Sequence, residues 1–192
     1  MRYTGAYRIG DFHGGDERFT YRFDAGGISY RATIAQGAGA PTLRLAVDFE
    51  RDMTMRALEV LCGEGDGRFA VQARLQADGL RVEHSAPGGA ASVQVVPFDP
   101  RTTEVDWRSP VFNGVTCLRL GLTREGAERS IDVCFFHPET LALARVEQRY
   151  RFERIEPVET PAGRFRCARY QYSVPGFSAP FWVNGDGLVV RY

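Results

Sequence analysis

Apolar and polar residues alternate along most of this chain. Phe19, Tyr21 and Phe23 alternate with Thr20, Arg22 and Asp24. Ile28, Tyr30, Ala32 and Ile34 alternate with Ser29, Arg31 and Thr33, and the same period runs through Leu43–Phe49, Phe69–Leu75, Ile131–Phe135 and Val146–Phe152. A period of two predicts strands with one apolar and one mostly polar face, the pattern of an antiparallel sheet covering a core or cavity. Clusters such as "HGGDE", "DAGG", "GAGAP", "GEGDG", "QADG" and "APGG" punctuate the runs. They recur about every ten residues, as in an all-β roll, sandwich or barrel. Roughly a dozen strands follow, too many for one flat open sheet. The one helix candidate, "ETLALARVEQ" (139–148), merges into a strand pattern and allows at most a helical turn. No repeat or linker divides the chain, so residues 1–192 read as one domain.

Two compact turns stand out near the end, "TPAG" and "NGDG". Pro161 suits position i+1 of a type I turn, and Gly163 suits the left-handed position that follows. Gly187 ends the second turn in the same way. Both are read as hairpin turns.

Composition narrows the class. An apolar content of 44% with 25% charged residues is that of an ordinary globular protein. The formal net charge of zero argues against a nucleic-acid partner or an acidic membrane surface. All 24 basic residues are arginine, planar forks suited to carboxylate or phosphate. The opening "MRYTGAYRIGDF" lacks a basic region followed by an apolar run, and no apolar run is long enough to cross a bilayer. The expectation is a cytoplasmic protein without a transmembrane segment, a monomer or homodimer. Cys62, Cys117, Cys134 and Cys167 form no C-x-x-C and lie in apolar stretches, which predicts buried free thiols.

Candidate chemistry is sparse. His13, His84 and His137 are far apart, without H-x-H or H-x-x-x-H spacing, so no metal is expected. There is no G-x-S-x-G elbow. "GEGDG" lacks a following helix and a lysine, so no phosphate loop and no cofactor are expected. Two polar residues sit on apolar strand faces: Arg56 beside Leu58 and Val60, and Gln148 beside Val146, Tyr150 and Phe152. Two readings stand, a satisfied glutamine with a snorkelling arginine, or hydrogen-bonding anchors in a ligand cavity. The stretch "VDWRSPVFNGVTCLRLGL" (105–122) is unusual as well. Pro110 pushes Ser109 towards an extended conformation, and Asn113-Gly114 reads as a turn. Trp107 and Asn113 at a cavity mouth would suit a sugar or polar headgroup.

This stretch resembles the segment D-x-x-[ST]-P-x-x-N-x-L-x-x-R-L of a family of bacterial proteins described as putative glycolipid-binding. "VEQRY" (146–150) and the closing "NGDGLVVRY" (184–192) resemble its later motifs, and "LAVDFERDMTMRALEV" (45–60) loosely echoes an earlier one. "VETPAGRF" is also similar to another group of bacterial β-proteins with a P-A-G-x-F turn. Both groups resemble the open, curved-sheet lipoprotein carriers of the bacterial envelope. The resemblance implies a single, strongly curved antiparallel sheet, rolled as a spiral β-roll or half-barrel around an apolar cavity. It implies that Asn113, Arg119, Gln148 and Tyr150 are kept. The resulting expectation is a binding protein that holds a lipid or glycolipid in the concave face. Tyr30, Trp107, Tyr150, Tyr172 and Trp182 would supply apolar contact, with Arg56 and Gln148 as anchors. An isomerase, lyase or hydrolase on the same frame is the alternative. Its candidates are Asp48, Glu147 and His137, and no catalytic residue is assigned.

Overall fold

The computed structural model describes residues 1–9, 15–35, 41–63, 69–85, 89–137 and 142–192. His13, most of the "GEGDG" turn and residues 139–141 of the helix candidate lie outside the described residues. The chain divides into two compact units, Met1–Asp99 and Pro100–Tyr192.

The first unit is a meander of eight antiparallel strands, paired in chain order. These are β1 (Arg2–Ile9), β2 (Gly15–Asp24), β3 (Gly27–Ile34), β4 (Leu43–Phe49), β5 (Met55–Cys62), β6 (Phe69–Gln76), β7 (Gly79–Ser85) and β8 (Ser92–Val96). The alternation fixes the register, because a slip of one residue would turn every apolar side chain to the polar face. Tyr30, Ile34, Val47, Val60, Ala73 and Val82 are all fully buried on one face. That face also carries Glu17, which shares the parity of Phe19 and Tyr21 on β2 and is itself fully buried. Glu17 accepts a hydrogen bond from the Tyr30 hydroxyl at 2.5 Å.

The second unit holds β9 (Thr103–Asp106), α1 (Pro110–Leu120), β10 (Glu128–Phe136), β11 (Leu143–Thr160), β12 (Gly163–Val174), β13 (Phe177–Asn184) and β14 (Val189–Arg191). Its sheet runs β14-β13-β12-β11-β10-β9. The all-β class holds. The strands expected in one sheet are shared between two, and β9 pairs with β10 in parallel. Parallel neighbours need a crossover, and α1 supplies it. Residues 143–148 of the helix candidate belong to β11.

The helix lies where the sequence suggested a turn. Its start and stop signals are both present. Ser109 is extended at the N-cap, Pro110 occupies the first turn, and Gly121 closes the helix at φ 57° with its N–H bonded to the Cys117 carbonyl. Asn113-Gly114 resembles a turn but sits in the second helical turn, on a surface that is buried from Val111 to Cys117. The two hairpin turns are as expected. Gly163 has φ 133° between β11 and β12, and Gly187 has φ 80° between β13 and β14. The Asn184 side chain accepts the backbone N–H groups of Asp186 and Leu188 and holds the second turn closed.

Candidate functional site

The second unit contains a buried chain of polar groups inside an aromatic face. Gln148 and Tyr150 are two residues apart on β11 and so project from the same side. Asp106 ends β9, and Asn113 comes from α1. Gln148 Nε2 donates to Asp106 Oδ2 at 2.5 Å. The Tyr150 hydroxyl lies 2.7 Å from Gln148 Oε1 and 2.8 Å from Asn113 Oδ1, so its one proton is shared between two acceptor oxygens. The chain thus links Asn113 and Gln148 through Tyr150, and Gln148 passes it on to Asp106.

Burial controls the titration of this chain. It raises the Asp106 carboxyl to about 7, against partial lowering by the bonds from Gln148 and the Trp107 backbone N–H. Burial likewise pushes the Tyr150 hydroxyl well above its ordinary value, and the charge of Asp106 adds to that. Tyr172 and Tyr192 are raised mainly by burial and secondarily by Asp106, which places both phenols in its electrostatic reach.

The surrounding wall is aromatic. Tyr150 tilts against Tyr172 at 5.4 Å and meets Phe181 edge-on at 6.2 Å. Phe181 stacks on Tyr192 at 5.3 Å, and Tyr170 stacks on Phe181 at 5.7 Å. Tyr150, Tyr170, Tyr172 and Phe181 pack with Cys117, Phe152, Val183 and Val189 into one cluster. The cluster members are buried, and the exposed residues that stack on them are Tyr192, whose hydroxyl is nonetheless buried, and Phe177. Two buried polar atoms here have no hydrogen-bond partner among the described residues, Asp106 Oδ1 and Trp107 Nε1. One is an acceptor and the other a donor.

Of the residues singled out in the sequence, five belong to this part of the second unit: Trp107, Asn113, Gln148, Tyr150 and Tyr172. The other three lie apart. Arg119 sits near the end of α1, where it pairs with Glu104 at 2.7 Å and donates to the Pro100 carbonyl, tying the helix to β9. Trp182 alternates with Phe181 and Val183 and so faces the other side of its sheet. Its Nε1 donates to Glu156 at 2.6 Å, and the Arg169 and Arg191 guanidinium groups lie 5.2 and 5.5 Å from its ring. Arg56 belongs to the first unit and is not on the apolar face. A register shift between β4 and β5 near Asp48 and Phe49 places Met55 inward and Arg56 outward. There it lies 3.8 Å from Asp48 and 3.7 Å from Glu50, with its side chain 58% exposed.

Of the candidates for proton transfer, Glu147 and His137 are exposed. Asp48 is held below the usual carboxylate range. Burial opposes its ionisation, but the bidentate bond and charge of Arg31 outweigh that. The carboxylate displaced upward is Asp106, which the sequence placed only beside Trp107. The signal that could have found it is the helix, since a strand–helix crossover turns the end of β9 into the face beneath α1. All four cysteines are buried free thiols.

Tyr150→Phe tests the chain at its centre. Removing one hydroxyl leaves Gln148 Oε1 and Asn113 Oδ1 without the donor they share. The expected loss is about 2 kcal/mol, on the scale of buried groups left unsatisfied. Urea unfolding measures it, and a change too small to resolve would contradict the central place of Tyr150 in the chain.

Among the described residues, two open sheets and a single helix define an all-β protein, with a buried polar chain at its strand–helix crossover. The chain belongs to the family described as "Putative glycolipid-binding", whose model matches residues 13–192. A crystal structure of a DUF1089 family protein from Pseudomonas aeruginosa is similar over 99% of this chain and 94% of that one, with 16% identity and a TM-score of 0.57. A β-barrel-like protein of domain of unknown function DUF1849 from Brucella abortus covers 92% of this chain and 79% of its own, at 9% identity and a TM-score of 0.53. These likenesses are of fold. No curated protein matches the chain.

Proposed function

We propose that this protein holds an amphipathic small molecule of the glycolipid type, with its polar headgroup at Asp106 and Trp107. The observation that carries the reading is the buried, unpartnered Asp106 Oδ1 within electrostatic reach of Tyr150, Tyr172 and Tyr192, with a second unpartnered buried atom, Trp107 Nε1, on the next residue. A buried polar atom without a partner costs about 1–3 kcal/mol, so a ligand that completes both is favoured. A sugar hydroxyl can donate to the carboxylate, and another can accept from the indole. The apolar face of the sugar and the start of an acyl chain suit aromatic rings. Tyr192 supports the route in. The residue is half exposed although its hydroxyl is buried, and its ring stacks on Phe181, so moving it uncovers the buried ring behind it.

Native mass spectrometry of freshly purified protein tests the proposal. The expected result is an adduct in the mass range of a glycolipid, weakened in Tyr192→Ala. Bare polypeptide, both as purified and after incubation with a mixed glycolipid extract, would overturn it.

A further inference from the structure

The first unit carries a separate groove of about 830 Å³ on the polar face of β1–β5. The register places its arginines. Thr33 on β3 pairs with Arg18 on β2 and with Arg44 on β4, so the two arginines flank it directly on either side. With strands about 4.8 Å apart, their stems stand about 10 Å from each other. Arg31 lies two residues before Thr33 on the same face. Thr4 and Thr20 add short hydroxyl side chains, and Ala6 and Ala46 keep the floor low.

The three arginines are not equivalent. Arg31 is locked in place, bonded to the carbonyls of Tyr30 and Val47 and to both oxygens of Asp48. Arg18 is exposed and has no hydrogen-bond or ion-pair partner among the described residues. The carboxylates in the lining are Asp16 and Glu59. Glu59 already accepts from Gln72 Nε2 at 2.7 Å. Guanidinium forks over a threonine hydroxyl match the donor geometry that oxyanions require.

We infer that this groove is a binding site for a small molecule bearing a phosphate, sulfate or carboxylate group, which Arg18 and Arg44 grip from either side of Thr33. The site stands apart from the Asp106 cluster, and neither proposal depends on the other.

The test is an NMR titration of the arginine Nε–H signals with inorganic phosphate, against chloride at matched ionic strength. The expected result is a saturable shift at Arg18 and Arg44, absent at Arg56, with affinity weakened about tenfold in both Arg18→Gln and Arg44→Gln. Octyl phosphate distinguishes the source of the anion: tighter binding than inorganic phosphate assigns the groove to an amphiphile headgroup, and equal binding to a free oxyanion. Shifts that follow chloride, spread over all exposed arginines, or persist in both variants would overturn the inference.

Discussion

Raising the pH from 4 to 7 is expected to lower the stability of the wild-type protein by about 3 kcal/mol relative to Asp106→Asn. The sign follows from the carboxyl being raised from 3.8 to about 7 in the folded state. Below pH 4 it is protonated in both states, and its contribution is fully present. Between 4 and 7 the unfolded chain gives up the proton while the native protein keeps it, so stability falls as the pH rises. Above 7 both states are ionised and the difference levels off. Asp48 and Glu156 have lowered values and act in the opposite sense at acid pH, but they do so in both proteins and cancel in the comparison. Asparagine keeps the shape of the group and its bond from Gln148 without the charge. Urea unfolding of the two proteins from pH 4 to 8 measures the effect. Parallel curves would mean that Asp106 ionises normally and that its surroundings are wetter than the fold implies.

Gly114→Ala is expected to cost about 3 kcal/mol, as for an overpacked core site. Helix propensity alone gives the opposite sign, because alanine is favoured over glycine by about 1 kcal/mol in a helix interior. Packing decides. A Cβ at residue 114 would lie 2.1 Å from the backbone oxygen of Gly187 and 3.3 Å from Val189. The first neighbour is backbone in a tight turn and cannot rotate away, so α1 or β14 must shift. Gly121→Ala is the control. Its added Cβ meets nothing within 4 Å, and only the left-handed backbone at φ 57° resists, at about 1 kcal/mol. Thermal or urea unfolding of both variants separates the two costs. A Gly114→Ala protein as stable as the wild type would remove the reason for placing the helix, and with it Asn113, against the sheet.

Sheet pairing was legible because it rests on local signals. The alternation of Ile28, Tyr30, Ala32 and Ile34 states which face is buried, and Gly163 and Gly187 sit where the chain needs positive φ. What escaped is set by non-local packing. Arg56 follows the alternation on paper, and only the register shift opposite Asp48 and Phe49 turns it outward. Glu17 has the parity of a core position, but its burial depends on Tyr30 from the next strand. In the helix, the Ser109-Pro110 start and Gly121 stop were visible. The Asn-Gly pair masked them, because a close approach to Gly187 calls for glycine as strongly as a turn does. The polar chain was half legible. Gln148 and Tyr150 announce themselves as polar groups on an apolar strand face, whereas Asp106 joins them only through the crossover.

The proposed headgroup site lies at Asp106 and Trp107. The chain has two tryptophans, Trp107 and Trp182, so the two indole N–H signals of ¹⁵N-labelled protein serve as site and control. Titration with octyl glucoside is the most direct measurement. The expected result is a saturable shift of the Trp107 signal with Trp182 unmoved, since the latter already donates to Glu156 on the other side of its sheet. An unmoved Trp107 signal, or a response confined to Trp182, would contradict the account.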